Sequence, residues 1–472
     1  MTHPNTRGVA YLPAILIVVA MVAAFGVGYV LIKQPFAVTK NTNVTVNTAT
    51  SNVNTIVNSN TSTTNTNATN TNTSTATPTA LYDAPVGPFT TSSAKVVAFS
   101  YSKSSDQLVT RLAKVNAATG KTVQTAQLST IDLQTTLSLP VVPNRPSFFR
   151  YGSDGDSVLF VMSGSSPYPF VGIYRTSFST PKKVETILQY DKDHLFNGDI
   201  PSIADLLYNA ETNTAAFVIP GDQSGEKNQL LKSVTLADKQ VHDLGAYVTQ
   251  PQLVGFPSNG TMLEVLYSDK NHYQGGQQQK VKWFYDQIRL SDGAISATKL
   301  LVDEASLPDA TETPYISLTP DSISPNNQLV AFAYNRKTST YASAYALAFR
   351  NVLTGEVTPN VVSGFQSGGS YPWAPDNGKI LLRTYSTKDQ KTSGVIFDLA
   401  KGSVASISDF GQGQLWYPAD LIVFTTSTNT LASYNVTTKK RLSIFSETPM
   451  SWYGEGYGGS TANSSGIRWV NR

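Results

Sequence analysis

The sequence predicts an all-β fold: a seven-bladed β-propeller of four-stranded blades, preceded by one N-terminal transmembrane helix and a disordered linker. Three observations predict it. A ten-residue frame of aromatic, turn and strand recurs between residues 90 and 424, a strand–turn–strand pattern follows each copy, and the first 80 residues differ sharply in composition from the rest. The expected organisation is a tail at residues 1–8, a transmembrane helix at 9–32, a Thr/Asn-rich linker at 33–80 and the propeller at 81–472.

Residues 9–32, VAYLPAILIVVAMVAAFGVGYVLI, carry no charge. At about 1.5 Å per residue the run reaches roughly 36 Å as a helix, enough to cross a bilayer. A cleaved signal peptide is the alternative, since Val22-Ala23-Ala24 offers small residues for cleavage. The apolar run continues to Ile32, longer than an ordinary signal core, which favours an anchor. Arg7 precedes the run and Lys33 and Lys40 follow it, so flanking charge does not set the orientation.

The linker at 33–80 is dominated by Thr, Asn and Ser. Such a chain buries too little apolar surface to offset its ordering entropy, and it reads as a flexible stalk. Sequons such as Asn43-Val44-Thr45 would accept glycans in a eukaryotic secretory pathway. Anchor and stalk together predict a single-pass membrane protein. Its C-terminal domain would lie outside the cytoplasm, in a bacterial envelope or at a cell surface.

Only three of the 35 basic residues lie in residues 1–80, which hold no Asp or Glu; residues 81–472 are left with 32 basic and 32 acidic residues. That balance argues against a phosphate-backbone binder, which needs a basic stripe. The chain has no Cys, which excludes disulfides, thiolate metal sites and a Cys nucleophile.

The repeat frame is clearest in WAPDNGKILL at 373–382. It recurs as YGSDGDSVLF at 151–160, FPSNGTMLEV at 256–265 and ISPNNQLVAF at 323–332. Weaker copies are YNAETNTAAF at 208–217 and TTSSAKVVAF at 90–99, and WYPADLIVF at 416–424 fits with one deletion. Position one, mostly aromatic, suits the end of an inner strand. Positions three to five form a turn, with Gly155, Gly260, Asn327 and Asn377 at the fifth, where positive φ is tolerated. Positions eight and ten put apolar side chains on one strand face, as in Val158/Phe160, Val330/Phe332 and Ile380/Leu382.

Hairpin patterns follow from residues 112, 172, 230, 283, 347, 394 and 431. Each unit therefore supplies four strands. The closing positions Phe99, Phe160, Phe217, Val265, Phe332, Leu382 and Phe424 recur at blade-like intervals. At the C-terminus, GIRWVNR at 466–472 offers a strand that would complete the first blade, with a loose tail as the alternative.

The frame resembles the TolB-type β-propeller repeat, whose core reads roughly W-S-P-D-G-x-x-I-A-F. The resemblance covers about residues 90–445, with degenerate motifs and no complete Ser-Pro-Asp-Gly copy. It is WD-like in architecture but lacks the Gly-His…Trp-Asp signature. What it implies is the fold, for a membrane-anchored chain.

Motifs for chemistry are sparse. His194, His242 and His272 have no close ligand spacing to one another. Asp191, Asp193, Asn197 and Asp199 concentrate oxygen ligands in one loop, but their spacing departs from a calcium loop and it reads as a solvated acidic loop. Asp154 and Asp156 fit the blade turn. The chain has no G-x-S-x-G elbow, P-loop or dinucleotide fingerprint. Prolyl-oligopeptidase-type enzymes join a similar propeller to a hydrolase domain, and the repeats here leave no stretch for one. No catalytic residue, metal or cofactor is expected.

The candidate binding residues are aromatics at blade starts: Phe148, Phe149, Tyr371, Trp373, Trp416 and Tyr417. The loops that begin at Ser163 and Ser268 are expected to project from one face. The alternative for the aromatics, preferred for Trp373 and Trp416, is packing between blades. The expected function is a membrane-tethered, extracytoplasmic, non-enzymatic binding or scaffold module for a protein or glycan partner, with no nucleic acid. A hydrolase or lyase with its site in the central channel is the alternative, and a purely structural envelope component is a third reading.

Overall fold

The computed structural model describes residues 95–469 apart from short internal stretches: 104–105, 196–198, 222–228, 258–259, 275, 313, 338–342, 361–370, 387, 417–419, 429, 446–450 and 453–467. The segments expected as transmembrane helix and linker lie outside the described residues. Among the described residues no helix is long and apolar enough to cross a membrane.

Seven antiparallel sheets follow one another along the chain. The first holds β1 (Val96–Lys103), β2 (Asp106–Asn116) and β3 (Thr122–Ser129), after which comes one short helix, α1 (Thr130–Thr136). Ser129 caps α1 by accepting from the Asp132 amide. The second sheet is β4 (Ser147–Tyr151), β5 (Ser157–Gly164), β6 (Phe170–Ser177) and β7 (Glu185–Tyr190). The third is β8 (Asp205–Asn209), β9 (Thr214–Pro220), β10 (Gln229–Thr235) and β11 (Val241–Tyr247).

The fourth begins with β12 (Gln252–Gly255) and β13 (Met262–Ser268). A small hairpin, β14 (Tyr273–Gln274) and β15 (Gln277–Gln278), interrupts it before β16 (Lys282–Arg289) and β17 (Ile295–Asp303). The fifth and sixth are β18 (Leu329–Lys337), β19 (Ser343–Asn351) and β20 (Val357–Asn360), then β21 (Lys379–Ser386), β22 (Lys391–Asp398) and β23 (Gly402–Ile407). The seventh is β24 (Phe410–Trp416), β25 (Leu421–Thr426), β26 (Leu431–Asn435) and β27 (Lys440–Phe445).

Among the described residues the inner edge of the fifth blade is met by the isolated bridges Ala310 to Arg336 and Ile323 to Val330, and that of the sixth by Trp373 to Ile380. The first blade takes its inner position from the far end of the chain. There β28 (Ser451–Trp452) and β29 (Arg468–Trp469) both pair antiparallel with β1, through Tyr101↔Trp452 and Val97↔Trp469. Pairing of this kind covers the sheet edge that β1 would otherwise expose.

The register confirms the frame. Position one pairs with position eight in Tyr151↔Val158, Tyr208↔Ala215, Ile323↔Val330 and Trp373↔Ile380. The copy with a deletion pairs Trp416 with Ile422. All four fifth-position residues have positive φ: Gly155 70°, Gly260 68°, Asn327 59° and Asn377 60°. In the weak copy at 208–217 the turn is displaced by one residue, and Asn213 takes the positive φ. The seven expected hairpins are β2–β3, β6–β7, β10–β11, β16–β17, β19–β20, β22–β23 and β26–β27.

The core is a set of clusters, each shared by neighbouring blades. Phe149 and Phe160 stack against Leu112 and Leu128 of the first blade, and Trp416 and Phe424 meet Leu381 and Ile396 of the sixth. Apolar side chains at alternating strand positions thus bury against the next sheet rather than within one.

Candidate ligand-binding face

A belt of polar contacts ties the inner strands. Asp205 and Gln252 hold the same position in their blades, opposite Val218 and Leu266 respectively. Each reaches the next blade's backbone. Asp205 Oδ2 accepts from the Leu253 amide at 3.0 Å, and Gln252 Nε2 donates to the Leu318 carbonyl at 2.8 Å. Arg150 of β4 completes the belt. Its Nη2 lies 3.2 Å from Asp205 Oδ1, its Nε donates to the Leu206 carbonyl, and its Nη1 donates to the Phe149 carbonyl at 3.0 Å.

Both side chains of this ion pair are largely buried, 6% and 13% exposed. Burial raises the Asp205 carboxyl from its ordinary value, while Arg150 and the amides of Leu253 and Leu206 pull it back. Each guanidinium nitrogen and both carboxylate oxygens of the pair are thus engaged by the scaffold, so the belt links blades two to five.

A second buried carboxyl lies between the third and fourth blades. Asp286 Oδ1 accepts from Thr298 Oγ1 at 2.7 Å, and Asp286 Oδ2 from the Tyr247 hydroxyl at 3.4 Å. The Tyr267 hydroxyl also bonds it, and the two tyrosine rings meet edge to face at 4.8 Å. Burial pushes the Asp286 carboxyl upward.

The alternation of strand direction sorts the connections onto two faces. Turns between the first and second strands, and between the third and fourth, share one face. Loops between the second and third strands, and between blades, share the other. On the turn face, side-chain oxygens are spent on their own backbone: Asp154, Asn209, Asp292, Asn351, Asp376 and Asp398 each accept from the amide two residues on.

The loop face is different. Among the described residues, the exposed tyrosines Tyr168, Tyr273 and Tyr315 all lie there, together with Ile131, Val142 and Leu195, whereas the exposed apolar side chains at the turn face, Leu353 and the strand-opening Val123, Val241 and Ile295, are all aliphatic. Exposed aromatic groups concentrated on one side of a molecule mark an interaction surface.

One hydrogen-bonded group on this face joins the fourth and fifth blades. Glu304, fully buried, accepts from the Val281 amide at 3.0 Å and the Ile316 amide at 2.7 Å. Its Oε1 also lies 2.8 Å from His272 Nε2. One carboxyl therefore ties the base of the β14–β15 hairpin to the segment that enters the fifth blade. The His272 ring packs on Tyr315 at 4.6 Å, and Tyr273 lies 6.4 Å from Tyr315. Tyr315 has φ 48°, unfavourable for a bulky residue. It is pinned on both sides: the Pro314 carbonyl accepts from the Asn335 amide at 3.0 Å, and the Ile316 amide donates to Glu304.

The sequence-predicted aromatics are not brought together. Phe149 is buried between blades one and two. Phe148, half-buried with φ 51°, packs against the cluster between blades two and three. Tyr371 and Trp373 are buried between blades five and six, with Trp373 edge-on to Phe349 at 6.1 Å. Trp416 is buried between six and seven. Tyr417 lies outside the described residues.

The bulge in β4, where Phe148 and Phe149 together face Phe160, sends the two side chains into different blade interfaces. Of the acidic loop, Asp191 accepts from the Asp193 amide and pairs with His194 at 3.0 Å, while Asn197 lies outside the described residues. Among the described residues no three His, Asp or Glu side chains converge as a metal site. The loop expected to project from residue 268 carries His272 and Tyr273. The signal for Tyr315 and Glu304 was absent from the sequence, because neither belongs to a repeat or a motif.

The sequence model of the prolyl oligopeptidase N-terminal β-propeller domain matches residues 265–401. A search of the curated proteins gives no match. Among solved structures, TolB from Acinetobacter baumannii is 13% identical over 66% of this chain and 63% of its own, with a TM-score of 0.34. The propeller domain of the Trilobed protease from Pyrococcus furiosus is 9% identical over 64% of this chain and 86% of its own, TM-score 0.39. Pyrococcus horikoshii acylaminoacyl peptidase is 10% identical over 75% and 51%, TM-score 0.44. The chain thus spans less than two thirds of TolB and about half of the acylaminoacyl peptidase. The strand order, the register and the family-model match together identify the described part of the chain as a seven-bladed β-propeller.

Proposed function

We propose that this chain is a membrane-tethered, extracytoplasmic propeller that binds a partner through its loop face and catalyses no reaction. The observation that carries the reading is the asymmetry of the two faces. The three exposed tyrosines, Tyr168, Tyr273 and Tyr315, all stand on the loop face, with Tyr315 on backbone pinned at both flanking peptides, whereas the exposed apolar side chains of the turn face are aliphatic. The apolar run at 9–32 and the stalk at 33–80 support tethering, because they hold a neutral domain away from a surface. The test is capture of partners by the full chain in lipid nanodiscs, comparing Ile131→Asp and Tyr168→Asp on the loop face with Leu353→Asp on the turn face. Loss of capture only for the loop-face variants is expected. Equal capture by all three contradicts the reading.

A further inference from the structure

We propose that the Tyr273–Tyr315–His272 group at the junction of blades four and five is a binding site for a neutral glycan. This rests on the reading of the loop face as a binding surface and names the ligand of one part of it.

Tyr273 is 62% and Tyr315 45% exposed, and their rings are inclined at 50° to each other. Two accessible ring faces in this arrangement suit the flat C–H face of a pyranose, which packs on an aromatic ring through dispersion and its weakly positive hydrogens. The rings are also pre-positioned. His272 is held through Nε2 by buried Glu304, and Tyr315 is fixed at both flanking peptides, so little conformational freedom is lost on binding.

His272 Nε2 is engaged by the Glu304 carboxylate, which leaves Nδ1 as a hydrogen-bonding group beside two phenolic hydroxyls that both donate and accept. On the adjoining hairpin Gln278 pairs with Tyr273, which puts its amide side chain on the same face as the Tyr273 ring, just past the turn at Gly276 (φ 78°). A Cβ at Gly276 would meet nothing within 4 Å, so the tip stands in open space. Amides, phenols and an imidazole match vicinal hydroxyls, each of which donates and accepts at once.

The one carboxylate in the group, Glu304, is buried and already accepts three hydrogen bonds, so it is not available to a ligand. Lys270 and Lys280 lie elsewhere in the same loop, outside the ring group, and the uronate control reads any part they take. A stacking surface flanked by hydrogen-bonding groups is what a neutral glycan recognises.

The test is saturation-transfer NMR on the full chain in nanodiscs. The probes are linear hexasaccharides of glucose, mannose and N-acetylglucosamine, with a uronic-acid hexasaccharide as the anionic control. The expected result is transfer to pyranose C–H protons of at least one neutral probe, at least tenfold weaker binding in Tyr273→Ala and in Tyr315→Ala, and retention in Tyr273→Phe. Val404→Ala, on an outer strand, should leave binding unchanged. The proposal is overturned if no neutral probe gives transfer, if only the uronate does, or if the alanine variants bind as wild type. It is likewise overturned if loop-face variants lose capture of a protein while no hexasaccharide binds; that outcome leaves the binding-face reading standing.

Discussion

Replacing Asp205 by Ala tests the inner-strand belt. The substitution leaves the Arg150 guanidinium, 6% exposed, without its counter-charge and the Leu253 amide without its acceptor. Breaking a buried ion pair from one side costs about 3–5 kcal/mol. With an unfolding entropy of about 2.1 cal/mol/K per residue, a propeller of roughly 380 residues loses about 5 °C of Tm for ~4 kcal/mol. Arg150→Met combined with Asp205→Asn removes both charges and keeps an acceptor for Leu253, so its Tm should fall by no more than about 2 °C. Differential scanning calorimetry on the full chain reads all three proteins. If the single variant melts within a degree of wild type, or no lower than the double, the pair does not link the blades as described.

Three further outcomes follow from the geometry. Asn377→Val places a β-branched residue at φ 60° and removes the 2.8 Å bond from the Asn326 amide, costing about 2–3 kcal/mol, whereas Asn377→Gly loses only the bond, about 1 kcal/mol; equal melting of the two refutes the turn assignment. Burial holds the Asp286 carboxyl above its ordinary value, so its contribution is full below about pH 3.9 and is lost as pH rises through the raised value. Asp286→Asn should therefore lose this part of the pH dependence and gain on wild type as pH rises from about 4 through the raised value, and parallel Tm–pH profiles contradict it. Glu304→Ala strands the buried Val281 and Ile316 amides and should lower stability by about 2–4 kcal/mol, with faster amide exchange in the β14–β15 hairpin. Unchanged exchange there would show that Glu304 does not anchor the hairpin.

The blade architecture was legible because it rests on local rules. Position one bonds to position eight seven residues on, and Asn377 and Asn327 show their positive φ through residue type alone. Hairpins such as β16–β17 announce themselves by alternation and a turn. The candidate site was legible only in part. A loop from residue 268 was visible, but Glu304 and Tyr315 join it through contacts between blades, which no spacing encodes. The pair Phe148 and Phe149 misleads for a related reason: a one-residue bulge in β4 separates two identical side chains. The equivalence of Asp205 and Gln252 was hidden too, because the same inter-blade role is filled by an acceptor in one blade and a donor in the next.

The loop face is the proposed working surface. Hydroxyl-radical footprinting reads it, comparing the full chain inside the intact cells that produce it with the purified full chain. Protection in the cells is expected at Tyr168, Tyr273 and Tyr315, with Leu353 and the outer-strand Val404 labelled equally in both. Protection at Leu353, or equal labelling of all three tyrosines in the two preparations, would contradict it.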